Sequence, residues 1–421
     1  MSIKVGPLPL PLYLILLAVI LTASVLGKLP ADMIGGFAVI IVMGWLLGEV
    51  GIKTPILRNI GGPAILSLFV PSILVFYKLL NPNALNAITA VMKTANFLYL
   101  YIACLVCGSI LGMNRKMLIQ GFMRLFIPLL VGEIVTISVA ISVAALLGFD
   151  VKNAFFFIIV PIIGGGIGEG ALPYSMALSD ILGQPQATFI PKLIPAAMIG
   201  NLFAIICSGG MKFFGDKYPK YSGNGLLVKT GDDAALLAEA NKEKPIEFPL
   251  MGAGLLIACT FFIFGLVLSP FIGIPGPIIM IFFAAIVKYF NVLPENMQKG
   301  AYHLYRFVAS NLTWPLLVGL GVLYTSWADV LRAFSPGYIA ICLSVVLSMW
   351  TTGFFVGKFL NMYPVETAIV TGCHTGLGGT GDVAILSASN RIGLMPFAQA
   401  ATRLGGAWMI VLATILLKIF Q

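Results

Sequence analysis

Gly165-Gly166-Ile167-Gly168-Glu169-Gly170-Ala171-Leu172 and Gly378-Gly379-Thr380-Gly381-Asp382-Val383-Ala384-Ile385 are two versions of one phrase, 213 residues apart in a chain of 421. Each interrupts an apolar stretch and each carries one carboxylate. Glycine lets a chain break and turn where other residues are excluded. Matched breaks in the two halves of a hydrophobic protein point to a transporter's binding site, where discontinuous helices meet near the membrane midplane.

The surroundings of the two phrases support that reading. Apolar residues make up 59% of the chain, charged residues 10%, and the mean hydropathy is +1.01. A soluble domain is nearer half apolar and a quarter charged. The expected class is therefore an all-α polytopic membrane protein embedded in a lipid bilayer. The 25 Lys and Arg against 16 acids are spread over short loops and helix ends, so they carry topology information. No basic stripe with interleaved aromatics marks a nucleic-acid partner. The sequence holds no His/Glu/Asp metal cluster, nucleophile elbow or Walker phrase, so neither an enzyme nor a cofactor is expected. Cys104 and Cys107 are spaced C-x-x-C on a predicted membrane helix and read as small packing residues.

Eleven spans are predicted, near 8–27, 33–50, 60–80, 95–112, 122–148, 190–211, 248–269, 274–293, 309–326, 337–358 and 397–420. Two glycine-rich segments, 153–182 and 364–390, read as re-entrant hairpins, since irregular backbone at membrane depth is tolerated only where protein or a wet cavity covers it. The resulting division is an extra N-terminal helix (1–32), a first repeat (33–211), a linker (212–247) and a second repeat (248–421). Ile60-Gly61-Gly62-Pro63 recurs as Ile274-Pro275-Gly276-Pro277, and Asn96, opening one span, has a counterpart in Asn311, opening another. Five spans per repeat is an odd number, so the second copy must enter from the opposite face, giving an inverted repeat. Lys53, Arg58, Arg115, Lys116, Arg124 and the linker lysines share one side. The positive-inside rule then puts the N-terminus and the linker in the cytoplasm and the C-terminus outside.

The phrases have a chemistry to match. Backbone amides at the start of a half-helix favour an anion, and carbonyls at the opposite end can coordinate a cation. Gly166, Ile167, Gly168, Gly378, Gly379 and Thr380 are therefore candidate substrate contacts. Arg403 stands in an otherwise apolar last span, where a charge costs several kcal/mol and marks function by default. Its planar fork suits a carboxylate, with Gly405 leaving room for a ligand. A structural ion pair with Asp382 or Glu169 is the plainer alternative. Arg391 reads equally as an interfacial anchor or a second substrate contact. For a coupling ion, Na⁺ or H⁺, the candidates are Asp382, Glu169, His374, Thr375, Gly376 and Thr402. Glu169 and Asp382 are expected at equivalent repeat positions, and His303 near a helix start.

These phrases, together with Leu8-Pro9-Leu10-Pro11-Leu12, Ile34-Gly35-Gly36-Phe37-Ala38, Gly48-Glu49-Val50-Gly51, Asn114-Arg115-Lys116, Ser387-Ala388-Ser389-Asn390-Arg391 and Thr402-Arg403-Leu404-Gly405-Gly406, resemble the 2-hydroxycarboxylate transporter family over nearly the whole chain. The resemblance implies a homodimer in a bacterial inner membrane, with a scaffold domain and a transport domain that moves its site in an elevator-like step. It also implies that Arg403 binds substrate. The family's citrate symporters have Arg where this chain has Leu377 and Asn where it has Ile167. Losing those contacts favours malate or a similar dicarboxylate over citrate. Exchange of malate or citrate against lactate stays open beside symport, and an anion channel is the remoter alternative.

Overall fold

A computed structural model describes residues 4–55, 62–113, 115–229, 246–272, 276–325, 327–328 and 335–420, apart from the side chains at 117, 118, 120–122, 169 and 380. Arg58, Ile60, Gly61, Asn114, Ile274, Pro275 and linker residues 230–245 lie outside the described residues.

A two-residue antiparallel ribbon, Lys4–Val5 paired with Leu8–Pro9, precedes a succession of helices. In chain order these are α1 (Leu10–Val25), α2 (Met33–Lys53), α3 (Gly62–Phe76), α4 (Pro82–Thr89), α5 (Phe97–Gly112), α6 (Arg115–Leu146), α7 (Val151–Ile163) and α8 (Leu172–Leu182). There follow α9 (Ile190–Lys217), α10 (Phe248–Ile272), α11 (Gly276–Tyr289), α12 (Glu295–Leu323), α13 (Pro336–Phe359), α14 (Pro364–Cys373), α15 (Gly379–Ala388) and α16 (Ile392–Phe420). Seven of them, α2, α6, α9, α10, α12, α13 and α16, are long and apolar enough to cross a membrane. An eighth crossing is α4 with its π turn Ala90–Thr94 and α5, bent by 52°. The break lies at Asn96, whose φ of 49° is left-handed, a conformation asparagine tolerates better than most side chains. The chain is thus an all-α, multi-pass membrane protein.

Local sequence explains the helix starts. The Asp32 carboxylate accepts from Ile34 N at 2.8 Å and Gly35 N at 3.2 Å to open α2. Asn81 and Ser335 do the same for α4 and α13, each followed by Pro at the first helical position, where its missing N–H costs nothing.

Two expected boundaries shift. Residues 82–94, outside every predicted span, are helical. Asn311 does not open a span: α12 begins sixteen residues earlier at Glu295, and Asn311 Nδ2 donates to Phe307 O at 2.9 Å inside a continuous helix. His303 therefore sits within α12, buried. Glu295, Lys299, His303 and Arg306 gave this stretch the polarity of a loop, although their spacing by threes and fours puts them on one helical face.

The chain divides into two compact units, residues 1–102 with 306–332 and residues 103–305 with 333–421. Each draws on both halves of the sequence. In the first, small residues allow close approach: a Cβ on Gly44 would lie 2.5 Å from Pro315 N, and one on Gly48 would collide with the Trp314 ring. Trp45 Nε1 donates to Asn311 O at 3.1 Å, and Ser72 Oγ to Thr325 O at 2.6 Å. In the second, α13 packs against α6 and α14 by the same device. Gly353 faces Thr371, Gly357 faces Thr367, and Gly372 lies under Trp350, which is 1% exposed at the centre of the core. Cys104 and Cys107 are buried, unpaired thiols on α5.

Candidate functional site

The site lies in the second unit. After Pro161 and Ile163, α7 stops, and the chain turns through Gly165 (φ 90°) and Gly166 (φ 88°) before a π turn, Ile167–Ala171, leads into α8. In the second phrase α14 ends at Cys373, and Gly378 (φ 68°) precedes α15. A side chain at these φ values is strained, so glycine is dictated. Gly166 and Gly378 also share their ψ, −163° and −166°, and each directly precedes a helical start.

The two tips touch. A Cβ on Gly166 would collide with the Leu377 carbonyl, and one on Gly378 would come within 2.8 Å of Gly165 O. The last helix closes on the first tip: a Cβ on Gly406 would lie 2.6 Å from Gly164 O, and one on Gly165 would lie 2.6 Å from Thr402 O. No side chain fits between them, so backbone amides and carbonyls line the meeting point.

Around it the expected residues fall into three groups. Asp382 is fully buried, and its Oδ2 accepts from Thr402 Oγ1 at 3.2 Å, while the same hydroxyl reaches Ala398 O at 3.0 Å. Arg403 is 6% exposed on a second π turn, Ala401–Gly405, in α16. Its described hydrogen bonds run to Ser109 O at 3.0 Å, Gln399 Oε1 at 3.3 Å and Tyr305 OH at 3.1 Å, and the guanidinium lies 5.3 Å from the Tyr305 ring centroid. π turns recur at functional sites because the extra residue re-aims side chains out of the regular helical register. His374 is fully buried. Its ring packs on Gly405, where a Cβ would sit 2.8 Å from Cε1, and its Nε2 lies 3.2 Å from Glu133 Oε1, ion-pair distance without hydrogen-bond alignment.

Thr375 turns its hydroxyl back to Gly372 O at 2.7 Å, and Gly376 is buried beside it. Ile167 is buried and Gly168 half-buried. The side chains of Glu169 and Thr380 lie outside the described residues. Among the described residues, no group of three His, Cys, Asp or Glu converges as a metal cluster. The donors around Asp382 are hydroxyl, carboxylate and carbonyl oxygens, hard ligands of the type Na⁺ takes.

Two residues take a setting that the sequence did not specify. Glu169 and Asp382 match by position in the two phrases, but they stand at different steps from the left-handed glycines Gly166 and Gly378. With Gly166 superposed on Gly378, the amide that first bonds back to the glycine carbonyl is Ala171 N in one tip (2.7 Å) and Asp382 N in the other (3.0 Å). The π turn has inserted a residue, so Asp382 answers to Ala171. Arg391 stands in a buried ion pair with Glu366 and is not exposed at a helix end. It is buried, with Nε on Glu366 Oε1 at 2.9 Å and Nη2 on Ser222 Oγ at 3.0 Å and Asn224 Oδ1 at 3.2 Å. Glu366 also accepts from Gly223 N at 2.7 Å and Ser222 Oγ at 3.0 Å. With Tyr363 N on Leu227 O at 2.9 Å, these bonds fasten the first linker residues as a strap across the start of α14.

Sequence reasoning missed three neighbours. Asn201 in α9 is 1% exposed, accepts from Leu377 N at 3.1 Å and faces Gly381. Its signal was an amide inside the apolar run Ala196–Ile206. Glu133 was the one acid in α6. Tyr305 carried no signal, being one aromatic among many.

The profile of the 2-hydroxycarboxylate transporter family matches residues 5–415. The chain belongs to this family. A Na⁺-malate symporter of Bacillus subtilis is 57% identical over 419 residues, covering 100% of this chain and 94% of that protein. A citrate/malate-proton symporter of the same organism is 41% identical, with 100% and 94% covered. A citrate/sodium symporter of Salmonella typhimurium is 32% identical, with 98% and 94% covered. This member of the family is therefore a 2-hydroxycarboxylate secondary transporter and not an enzyme.

Proposed function

We propose that the protein is a Na⁺-coupled symporter of malate or a closely similar 2-hydroxy dicarboxylate. The observation that carries this is the meeting of two glycine tips beside Asp382–Thr402 and Arg403. The tips supply backbone dipoles for a carboxylate, Arg403 supplies a fork for one, and Asp382 with Thr402 supplies hard oxygens for the ion. Arg403 is already held in place by Ser109, Gln399 and Tyr305, so little side-chain freedom is lost when it meets substrate. Leu377 in the second tip leaves no cation there for a third carboxylate, which favours malate over citrate. The 57% identity to a Na⁺-malate symporter supports the same choice.

In this reading the unit holding both tips is the moving transport body and the other is the scaffold of a homodimer in a bacterial inner membrane. Taking α1, α3 and α11 as short spans beside the eight crossings gives the eleven of an inverted-repeat topology, with 153–182 and 364–390 as hairpins. The N-terminus and linker then face the cytoplasm. Proton coupling is the second reading, favoured by the buried Glu133–His374 pair and by the 41% identity to a proton symporter.

Uptake of labelled L-malate into proteoliposomes, with and without a Na⁺ gradient at fixed pH and with unlabelled citrate as competitor, tests the proposal. Na⁺-driven accumulation with weak citrate competition is the expected result. Malate movement indifferent to Na⁺ overturns Na⁺ symport, and acceleration by internal lactate identifies exchange.

A further inference from the structure

A cavity of about 410 Å³ opens between α6 and α11. That volume falls in the roughly 300–1,000 Å³ range of small-ligand sites. Its lining is almost wholly apolar: Ile119 and Met123 from α6, Phe282, Ile286 and Tyr289 from α11, and Leu404 from the π turn that carries Arg403. Met123 is 72% exposed and Ile286 52%. A groove so lined offers nothing to a polar solute and suits hydrocarbon.

One end of the groove is cationic. Arg115, Ile119 and Met123 are spaced i, i+4, i+8, so the arginine heads the same face of α6 that lines the groove. The Arg115 side chain is fixed there: Nε donates to Tyr289 O at 2.7 Å, and the guanidinium sits 6.0 Å from the Tyr289 ring centroid. The residue is nevertheless exposed, as is Lys116 beside it. α6 begins at Arg115, which puts the positive end of its dipole at the same place. From Arg115 to Met123 the helix rises about 12 Å, close to the ~15 Å depth of one leaflet's hydrocarbon.

We propose that this groove binds an anionic phospholipid, one acyl tail lying along α6 and α11 and the phosphate seated at Arg115. Guanidinium pairs with phosphate oxygens through parallel N–H donors, and a net negative headgroup is selected over a zwitterionic one by charge. The bound tail touches Leu404, next to Arg403, so the lipid buttresses the turn that presents the substrate arginine. This inference stands on the groove and its basic end, independently of which carboxylate is carried.

The full chain, purified in detergent, is titrated with phosphatidylglycerol and with phosphatidylcholine, and bound lipid is read by native mass spectrometry. Phosphatidylglycerol is expected to be retained in preference, and Arg115→Gln, a surface change, to weaken that retention roughly tenfold, the loss of one charge-assisted contact. Ala285 of α11 also lines the groove, and Ala285→Trp, which fills it, is expected to reduce retention of both lipids. Equal retention of the two lipids by the wild type, or unaltered phosphatidylglycerol binding by Arg115→Gln, overturns the proposal and leaves only a general lipid annulus. Should Ala285→Trp fail to fold, the Arg115→Gln comparison decides alone.

Discussion

The two glycine tips begin alike and end differently. Gly166 and Gly378 have nearly the same backbone angles, and each releases a helix. The first tip then spends an extra residue on a π turn, whereas the second enters an ordinary α-helix. One inserted residue turns everything after it by about 100° around the helix axis. Asp382, in the tip without the insertion, meets Thr402 in the core at the place that Ala171 occupies in the other tip. Similar phrases therefore deliver similar backbone but set their carboxylates at different steps from the left-handed glycine, Glu169 three residues after Gly166 and Asp382 four after Gly378. The pair is a symmetric backbone cradle with one carboxylate, Asp382, placed against Thr402.

The comparison can be broken most severely at its shared feature. Gly166→Ala places a methyl group into the Leu377 carbonyl at a left-handed φ, and uptake is expected to vanish. Gly183→Ala is its control. That residue is also left-handed, at φ 64°, but open space surrounds it, so about 1 kcal/mol of stability should be lost with transport retained. Equal defects in both would mean that φ strain, and not the contact between tips, matters. Next in size is Arg403→Lys. A lysine is a point charge without the fork, and losing a charge-assisted contact of about 1.5–3 kcal/mol should raise the malate KM by roughly 10- to 100-fold with expression unchanged. An unaltered KM would remove Arg403 from the site.

Asp382→Asn sharpens the asymmetry. The Na⁺ concentration for half-maximal uptake should rise several-fold, while Ala171→Gly at the matching turn leaves it near wild type; a normal Na⁺ response in Asp382→Asn would take the ion ligand away from the second tip. The smallest expected effect is Leu377→Arg, which restores a cation in the tip. The ratio of citrate to malate uptake should increase by a few-fold, and an unchanged ratio would show that substrate size is not set there.

Much of this was written in plain residues. Glycines at fixed spacing mark backbone that must bend, and an arginine in an apolar span must answer for its cost, so both tips and Arg403 could be located before any coordinates. Asp382 and Thr402, twenty residues apart, were each flagged without the bond between them. What stayed hidden depends on direction. Asn201 lies inside the apolar run Ala196–Ile206 and Glu133 is the one acid of α6, and a helix does not announce which way one residue faces. The π turns are invisible for the same reason that they matter: they alter register without altering composition. The start of α12 was masked because its polar face resembles a loop in any average over sequence.

The strap has a use of its own. Glu366 and Arg391 tie Ser222, Gly223 and Asn224 to the start of α14, and Lys229 N on Asn361 O at 3.2 Å fastens the far end. Lys229 is exposed. A fluorophore at that position would thus be bolted to the body containing the second tip without touching the tip itself. Whatever displacement that body undergoes during a transport cycle would be carried to the dye, making a surface lysine the natural place from which to time the cycle.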